Sequence, residues 1–168
     1  MKTIYIVRHA KSSWKYEGIP DRDRPLKQRG IEDAYLMSSE ISKSIKRPDS
    51  FVSSHANRAL STAVIFCENM KFPLANLKIN KSLYSFSDRY LVKTIKAFDS
   101  DFDTVIVFSH DHGINDFVND HGNKKIAHIP TCSIVGIEFD CKHWKDIKKG
   151  NTILFKTPRE LKKTYAKD

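Results

Sequence analysis

The sequence lacks any apolar run near the roughly 20 residues that a transmembrane helix needs. Only Lys2 precedes a short strand-like segment at the N-terminus, so the apolar region of a signal peptide is missing as well. Cysteines are few: Cys67, Cys132 and Cys141 are widely spaced and form no Cys-x-x-Cys pair. These absences argue against a disulfide framework and predict a cytoplasmic protein with reduced thiols and no membrane partner.

A block of five or six like charges is also missing, although the formal net charge is +9. The lysines are scattered singly or in pairs, and the C-terminal segment 158–168 is expected to form a basic tail or helix. Scattered positive charge suits an anionic partner, but no platform of aromatic and basic residues for nucleic acid accompanies it. We therefore expect no nucleic-acid partner.

Linkers, internal repeats and low-complexity tracts are absent too, and 168 residues suit a single domain over 1–168. Short apolar runs predict six strands, and apolar positions at helical spacing predict four helices. The strands are predicted at 3–7, 50–54, 77–79, 104–109, 133–139 and 152–157, and the helices at 31–47, 57–70, 88–98 and 113–122.

The order of these elements predicts the fold class. Strands alternate with helices over the first two-thirds of the chain, which is typical of βαβ units and a mainly parallel sheet. The last two strands have only a short link between them, so we expect an antiparallel addition at one edge. The prediction is an α/β fold, a single three-layer domain with a mainly parallel central sheet flanked by helices.

Arginine and histidine side chains follow the ends of several predicted strands. Arg8 and His9 end the first strand, Arg58 begins the helix after the second, and His110 follows the strand at 104–109. In open α/β sheets, ligands bind beyond the carboxyl ends of the strands, so these four residues are aimed at one rim. One histidine after a strand is more often structural, but four such residues at one rim favour a site.

Two imidazoles and two guanidinium groups suit phosphoryl transfer through nitrogen. A neutral imidazole is a good nucleophile near pH 7, because its pKa lies near ~6.5. The guanidinium group of arginine binds two phosphate oxygens at once, in a bidentate contact, and stays charged throughout the reaction. The charges of Arg8 and His9 disfavour each other when they are adjacent, and a phosphate between them removes that conflict.

Metal ligands are not indicated at the expected spacings. His110, Asp111 and His112 are neighbours on one chain, and no third histidine has ligand spacing to them. The segment at 99–103, "DSDFD", starts like a calcium loop but lacks the glycine and the glutamate that such a loop requires. We therefore predict no metal and no cofactor.

Four segments together resemble the histidine phosphatase superfamily, in its small SixA-type phosphohistidine phosphatase branch. They are "VRHAKSSW", "DRDRPLKQRG", "SSHANRALSTA" and "VFSHDHGIND", in the family's order and spacing from residue 3 to about 139. The resemblance implies a phosphoglycerate-mutase-like fold without a cap insertion. It also implies that His9 becomes transiently phosphorylated, while Arg8, Arg24, Arg58 and His110 bind the phosphoryl group.

One departure from the larger relatives concerns the general acid. Those phosphomonoesterases carry a glutamate shortly after the third strand, whereas this chain has none between Glu68 and Glu138. An alkoxide, whose conjugate acid has a pKa of roughly 15, needs that proton. A departing imidazole needs less help, because its own pKa lies near ~6.5. The missing glutamate therefore favours phosphohistidine as substrate, with Asp21, Asp23 or Asp88 as a substitute acid and Asp21 preferred.

Residues close to the nucleophile are further candidates. Ser12 and Lys11 follow it directly and are candidate phosphate contacts, although a solvated loop explains Lys11 equally well. Trp14 and Tyr84 are either walls of the cleft or part of the core. Thr131, ahead of a late strand, is a weaker candidate for the pocket lining.

These features predict a metal-independent phosphatase that acts through a phosphohistidine enzyme intermediate. The predicted substrate is phosphohistidine in proteins, because an uncapped site suits a macromolecule, and inorganic phosphate is the product. Two alternatives stay open: a phosphomonoesterase for a small phosphorylated substrate, and a non-catalytic phosphate-binding interaction protein.

Overall fold

Six strands and five helices form the chain over residues 1–167, the part that the computed structural model describes. The strands are β1 (Lys2–Arg8), β2 (Ser50–Ser53), β3 (Lys78–Ile79), β4 (Thr104–Ser109), β5 (Ile134–Phe139) and β6 (Asn151–Lys156). The helices are α1 (Gln28–Ser44), α2 (Asn57–Asn69), α3 (Asp88–Lys96), α4 (Gly113–His121) and α5 (Pro158–Tyr165).

All six strands lie in one sheet, in the order β3-β2-β4-β1-β5-β6. The first four strands pair in parallel, and β5 and β6 add an antiparallel edge. The predicted α/β class, with its mainly parallel sheet and antiparallel edge, is therefore confirmed. In the pairing of β1 with β4, Arg8 lies opposite Ser109, so the residues that follow both strands emerge side by side.

The core lies on both faces of the sheet. In β1, Ile4 and Ile6 pack with α3 and α4 on one face, whereas Tyr5 and Val7 pack with α1, α2 and α5 on the other. Burial of both faces explains why this strand is a nearly continuous apolar run rather than an alternating one. The result is the expected arrangement of helices on either side of a central sheet.

The first helix differs from its prediction, because α1 begins at Gln28 and ends at Ser44. The backbone N–H of Lys27 donates to the carbonyl oxygen of Lys11 at 2.8 Å, which joins the start of α1 to the loop after β1. Gly30 lies in the first turn, and a Cβ there would collide with that same carbonyl oxygen. Gly30 therefore allows α1 to approach the loop closely.

The C-terminal segment that was predicted as a basic tail or helix contains α5. Thr157 caps this helix by accepting the N–H of Glu160, whose carboxylate in turn accepts the N–H of Thr157. Asp168 lies outside the described residues. Within residues 1–167, no helix is long and apolar enough to cross a membrane.

Candidate active site

A cavity of about 360 Å³ opens at the carboxyl ends of the parallel strands. We call it the His9 cavity. Two of the three candidate acids, Asp23 and Asp88, do not line it. Seven residues that the sequence assigned to the site do: Arg8, His9, Ser12, Asp21, Arg24, Arg58 and His110. Its wall also contains Lys11, Trp14, Phe86, Asp111, His112 and Thr131.

His9 is buried at the base of this cavity, with its ring orientation fixed. Its Nδ1 lies 2.8 Å from the carbonyl oxygen of Ala10. A carbonyl oxygen only accepts, so Nδ1 carries the hydrogen and Nε2 keeps its lone pair. Burial lowers the pKa of His9, the positive charges of Arg58 and Arg8 lower it further, and the value falls to about 4. The imidazole is therefore neutral at pH 7.

The low pKa of His9 gives a direct prediction for NMR. In the folded, phosphate-free protein, we expect the His9 ring to titrate near pH 4, with loss of its lone pair below that pH. In denaturant the transition is expected near ~6.5, because burial and the arginine charges are then lost. Added phosphate should raise the pKa, since an anion favours the imidazolium. The signal is assigned by its absence in the His9→Asn variant, and a folded-state transition near pH 6.5 would contradict the argument.

His110 lies beside His9, with 5.2 Å between the ring centres. Its Nε2 is 2.8 Å from Ser54 Oγ, which already accepts the N–H of Ala56 and so has its own hydrogen to donate. The remaining nitrogen, Nδ1, is buried and has no hydrogen-bond partner within residues 1–167. Burial lowers the pKa of His110, the nearby charges of His9 and Arg58 add to the effect, and the value falls to about 2. His110 is therefore neutral and carries an unsatisfied ring nitrogen.

Arg58 reaches the cavity from the first turn of α2. Its Nε donates to His9 Nε2 across 3.4 Å, which fits a lone pair on that nitrogen. Its two terminal nitrogens donate to Asp21, one to the carbonyl oxygen at 2.8 Å and one to Oδ2 at 3.0 Å. The guanidinium group is thereby held next to the nucleophile candidate.

Arg8 lies on the opposite side of the cavity, at the end of β1. Its Nη1 donates to the carbonyl oxygen of Ile129 at 2.7 Å and lies 3.3 Å from Asp111 Oδ2. Its Nε is buried and makes no hydrogen bond to any residue that the structure describes. Burial lowers the pKa of Arg8. An anion in the cavity would provide the acceptor that this donor lacks.

Arg24 comes from the loop between β1 and α1. An isolated antiparallel β-bridge between Ser12 and Leu26 folds this loop back on itself, and Arg24 lies in the cavity wall. The guanidinium carbon of Arg24 lies 3.5 Å from the ring centre of Trp14. Nε of Arg24 also donates to Asp21 Oδ1 at 3.0 Å. Three arginines from three segments therefore meet around His9.

Asp21 does not suit the role of general acid that the sequence suggested. Burial alone raises the pKa of Asp21, but a 2.7 Å hydrogen bond from Tyr84 and the charge of Arg58 outweigh it and lower the value to about 2. The carboxylate is therefore ionised at neutral pH and has no proton to give. Its contacts instead hold Arg24 and Arg58 in place.

Several residues near the site were missed or only partly recognised. Thr62 accepts the N–H of Ala10 at 3.0 Å and donates to the carbonyl oxygen of Arg58 at 2.7 Å, so it ties the His9 loop to α2. Phe86 lines the cavity without any signal in the sequence pattern. Trp14 forms part of the cavity wall, whereas Tyr84 does not line the cavity and instead donates a hydrogen bond to Asp21, which does.

Metal ligands are not grouped in the described chain. Among residues 1–167, no cluster of three or more histidine, cysteine, aspartate or glutamate side chains is arranged to hold a metal ion. Metal independence of the reaction stays a prediction.

Comparisons with known proteins show similarity in sequence and in fold. The sequence model of the histidine phosphatase superfamily (branch 1) matches residues 4–84. An uncharacterized protein of Mycobacterium tuberculosis, Rv1276c, is 26% identical over 168 residues, which cover 91% of this chain and 100% of that one.

Solved structures share the fold at low sequence identity. The protein histidine phosphatase SixA, complexed with tungstate, superposes with a TM-score of 0.81 and 17% identity, over 95% of this chain and 99% of that one. The mycobacterial glucosyl-3-phosphoglycerate phosphatase Rv2419c, in complex with VO3, gives a TM-score of 0.69 and 12% identity, over 92% and 98%. The sequence match and this shared fold together lead to one conclusion: the chain resembles the histidine phosphatase superfamily over residues 4–84 and has the fold of these solved phosphatases.

Proposed function

We propose that this protein is a phosphatase that removes phosphate from phosphohistidine in proteins and does so through a phosphorylated His9. The match of residues 4–84 to the superfamily's sequence model and the fold shared with solved phosphatases support phosphatase activity as such. The finer proposal depends on one observation above all: a neutral His9 whose Nε2 lone pair faces a cavity lined by three arginines.

In the first step, His9 Nε2 attacks the phosphorus of the substrate. Its lone pair forms a new N–P bond, and the P–N bond to the substrate imidazole breaks with its electron pair on the departing nitrogen. Donation from Nδ1 to the carbonyl oxygen of Ala10 stabilises positive charge that develops on the ring. The other nitrogen of the substrate ring takes a proton from solvent before the bond breaks, so the ring leaves as a neutral imidazole rather than as an imidazolate.

The phosphoryl oxygens are stabilised by fixed cations and donors. Arg8, Arg24 and Arg58 contribute guanidinium groups, and Nδ1 of His110 is a buried donor without a partner in the described chain. Because these groups are already in position, little reorganisation is needed when the charge develops. We assign Ser12 to the same set, since it lines the cavity next to Lys11.

In the second step, water hydrolyses the phosphorylated His9. The water oxygen bonds to phosphorus, the N–P bond breaks, and the electron pair returns to Nε2. The water's proton stays with the product, inorganic phosphate, or passes to solvent. His9 is then neutral and ready for another turnover.

The leaving group favours phosphohistidine over an alkyl ester. None of the residues that line the cavity is a glutamate, and Asp21 is held ionised by its arginine and tyrosine partners. An alkoxide would leave poorly without a proton donor, whereas an imidazole leaves readily. We propose Asp21 as a positioning residue that orients Arg24 and Arg58.

A phosphomonoesterase for a small substrate is the second candidate. The superposition on a glucosyl-3-phosphoglycerate phosphatase favours it, because that protein has the same fold and is a phosphatase of a sugar phosphate.

We also propose that residues 1–168 act as one uncapped domain in the cytoplasm. The three cysteines support that location, because Cys67, Cys132 and Cys141 are all free thiols.

A substrate panel with a chemical trap tests the proposal. We expect kcat/KM for a phosphohistidine-containing protein, corrected for spontaneous hydrolysis, to exceed that for a sugar phosphate by at least about tenfold, because the imidazole leaves without an enzyme acid. Rapid denaturation in base during turnover should recover acid-labile phosphate on His9. A preference for sugar phosphates would support the second candidate instead. If the protein bound phosphorylated ligands but showed neither turnover nor trapped phosphate, a non-catalytic protein would be supported.

A further inference from the structure

Two aromatic side chains at the mouth of the His9 cavity have no role in the chemistry described so far. Trp14 and Phe86 both line this cavity, yet they are 73% and 57% exposed. Single exposed aromatics are common on protein surfaces. Two that line one cavity with the nucleophile candidate form an apolar part of a wall that is otherwise polar and charged.

Trp14 is held in place by the arginine beside it. The guanidinium carbon of Arg24 lies 3.5 Å from its ring centre, and Arg24 is in turn bonded to Asp21. This cation–π contact fixes the indole ring even though most of its surface faces solvent. The exposed part of the ring is therefore preorganised for contact with a ligand.

Phe86 is held from the other segment, between β3 and α3. Its ring centre lies 6.3 Å from the ring of His110 and 6.2 Å from that of Tyr84. Tyr84 itself packs edge-on against His110 at 5.3 Å. Phe86 is thus the exposed end of an aromatic cluster that begins at the donor proposed for the phosphoryl group.

The cavity is larger than a phosphoryl group alone. At about 30 Å³ for each water-sized group, its volume corresponds to about twelve such groups, whereas a phosphoryl group with its bridging atom has five heavy atoms. The cavity therefore has room for the group attached to the phosphoryl group, and the two aromatic rings line the same cavity.

We infer that Trp14 and Phe86 form a second subsite in this cavity, which binds the planar ring attached to the phosphoryl group. The ligand class is aryl and heteroaryl phosphates, with the imidazole of phosphohistidine among them. Ring–ring contacts add affinity for such ligands beyond simple burial. Alkyl and sugar phosphates carry no aromatic ring and therefore lack this ring–ring contact. The inference rests on the proposed function for its phosphate site but not for turnover.

Binding of non-hydrolysable phosphonates tests the subsite without any catalysis. Phenylphosphonate carries a ring on phosphorus, and methylphosphonate does not. By calorimetry we expect the wild-type protein to bind phenylphosphonate about threefold to tenfold more tightly than methylphosphonate, the range typical of an aromatic contact. In Phe86→Leu, which keeps an apolar side chain but loses the planar ring, the ratio should fall toward one, and in Phe86→Tyr it should be retained.

The control is Tyr90→Leu, which removes an exposed aromatic from α3 that does not line the cavity. It should leave the ratio of the two dissociation constants as in the wild type. Equal affinity for both phosphonates in the wild type, or an unchanged ratio in Phe86→Leu, overturns the subsite. Failure of the proposed function is a separate result, namely ring-selective binding without hydrolysis of phosphohistidine.

Discussion

The His9→Asn variant is expected to lose at least about 10⁴-fold in kcat/KM, because no other group in the cavity can replace a lost nucleophile at the same position. Asparagine preserves much of the size and polarity of the side chain but has no lone pair of comparable basicity. The acid-labile phosphate that is trapped on the wild-type protein should disappear together with the turnover. Mass spectrometry of rapidly denatured samples measures both the intermediate and its position.

The matched control for this variant is His128→Asn, an exposed histidine that does not line the cavity. It should retain wild-type turnover and the trapped phosphate. Thermal unfolding of both variants should resemble that of the wild type, which separates a chemical effect from a folding defect. Phosphate trapped on the His9→Asn protein would show that another residue is the nucleophile.

The Arg58→Ala variant is expected to lose about 10²- to 10³-fold in kcat, the range for removal of one preorganised group that stabilises the transition state. The Nε of Arg58 lies 3.4 Å from the reacting nitrogen, His9 Nε2, and the Arg58 side chain is buried. Its removal also takes a positive charge away from His9, so the pKa of His9 should rise. Steady-state kinetics and histidine NMR on the same variant measure the two effects together.

Arg22→Ala is the control for that experiment. Arg22 lies on the same loop as Asp21 but is exposed, pairs with Asp23 at 3.6 Å, and does not line the cavity. A general loss of positive charge should therefore leave kcat and the pKa of His9 near their wild-type values. If both arginine variants lost activity equally, the argument for a specific contact between Arg58 and the phosphoryl group would fail.

The sheet agreed closely with its sequence prediction. The strand predicted at 104–109 has the same bounds as β4, and the strand predicted at 3–7 differs from β1 by one residue at each end. Both strands are covered on both faces, so nearly every position is apolar and the local pattern is unambiguous. Parallel strands have their carboxyl ends at the same edge of the sheet, and this rule correctly predicted that His9 and His110 lie at one rim.

The boundaries of the helices, and the residues that support the site from other segments, were less predictable from the sequence. The start of α1 depends on the bond between Lys27 and Lys11 and on the close approach at Gly30. Thr62 and Phe86 carry no signal of their own, because threonine in a helix and phenylalanine in a loop are ordinary. Their positions next to Ala10 and His110 depend on how separate segments pack.

The sequence by itself determined the α/β fold, the resemblance to a family and the set of cationic and imidazole side chains at one rim, since those follow from local patterns and a topological rule. The tertiary structure alone decided the protonation state of each group. Asp21 is an example: its ionisation depends on Arg58 and Tyr84, which lie 37 and 63 positions away along the chain. A pKa reflects burial and neighbouring charges in space, and neither can be read from the residue type or from its neighbours in sequence.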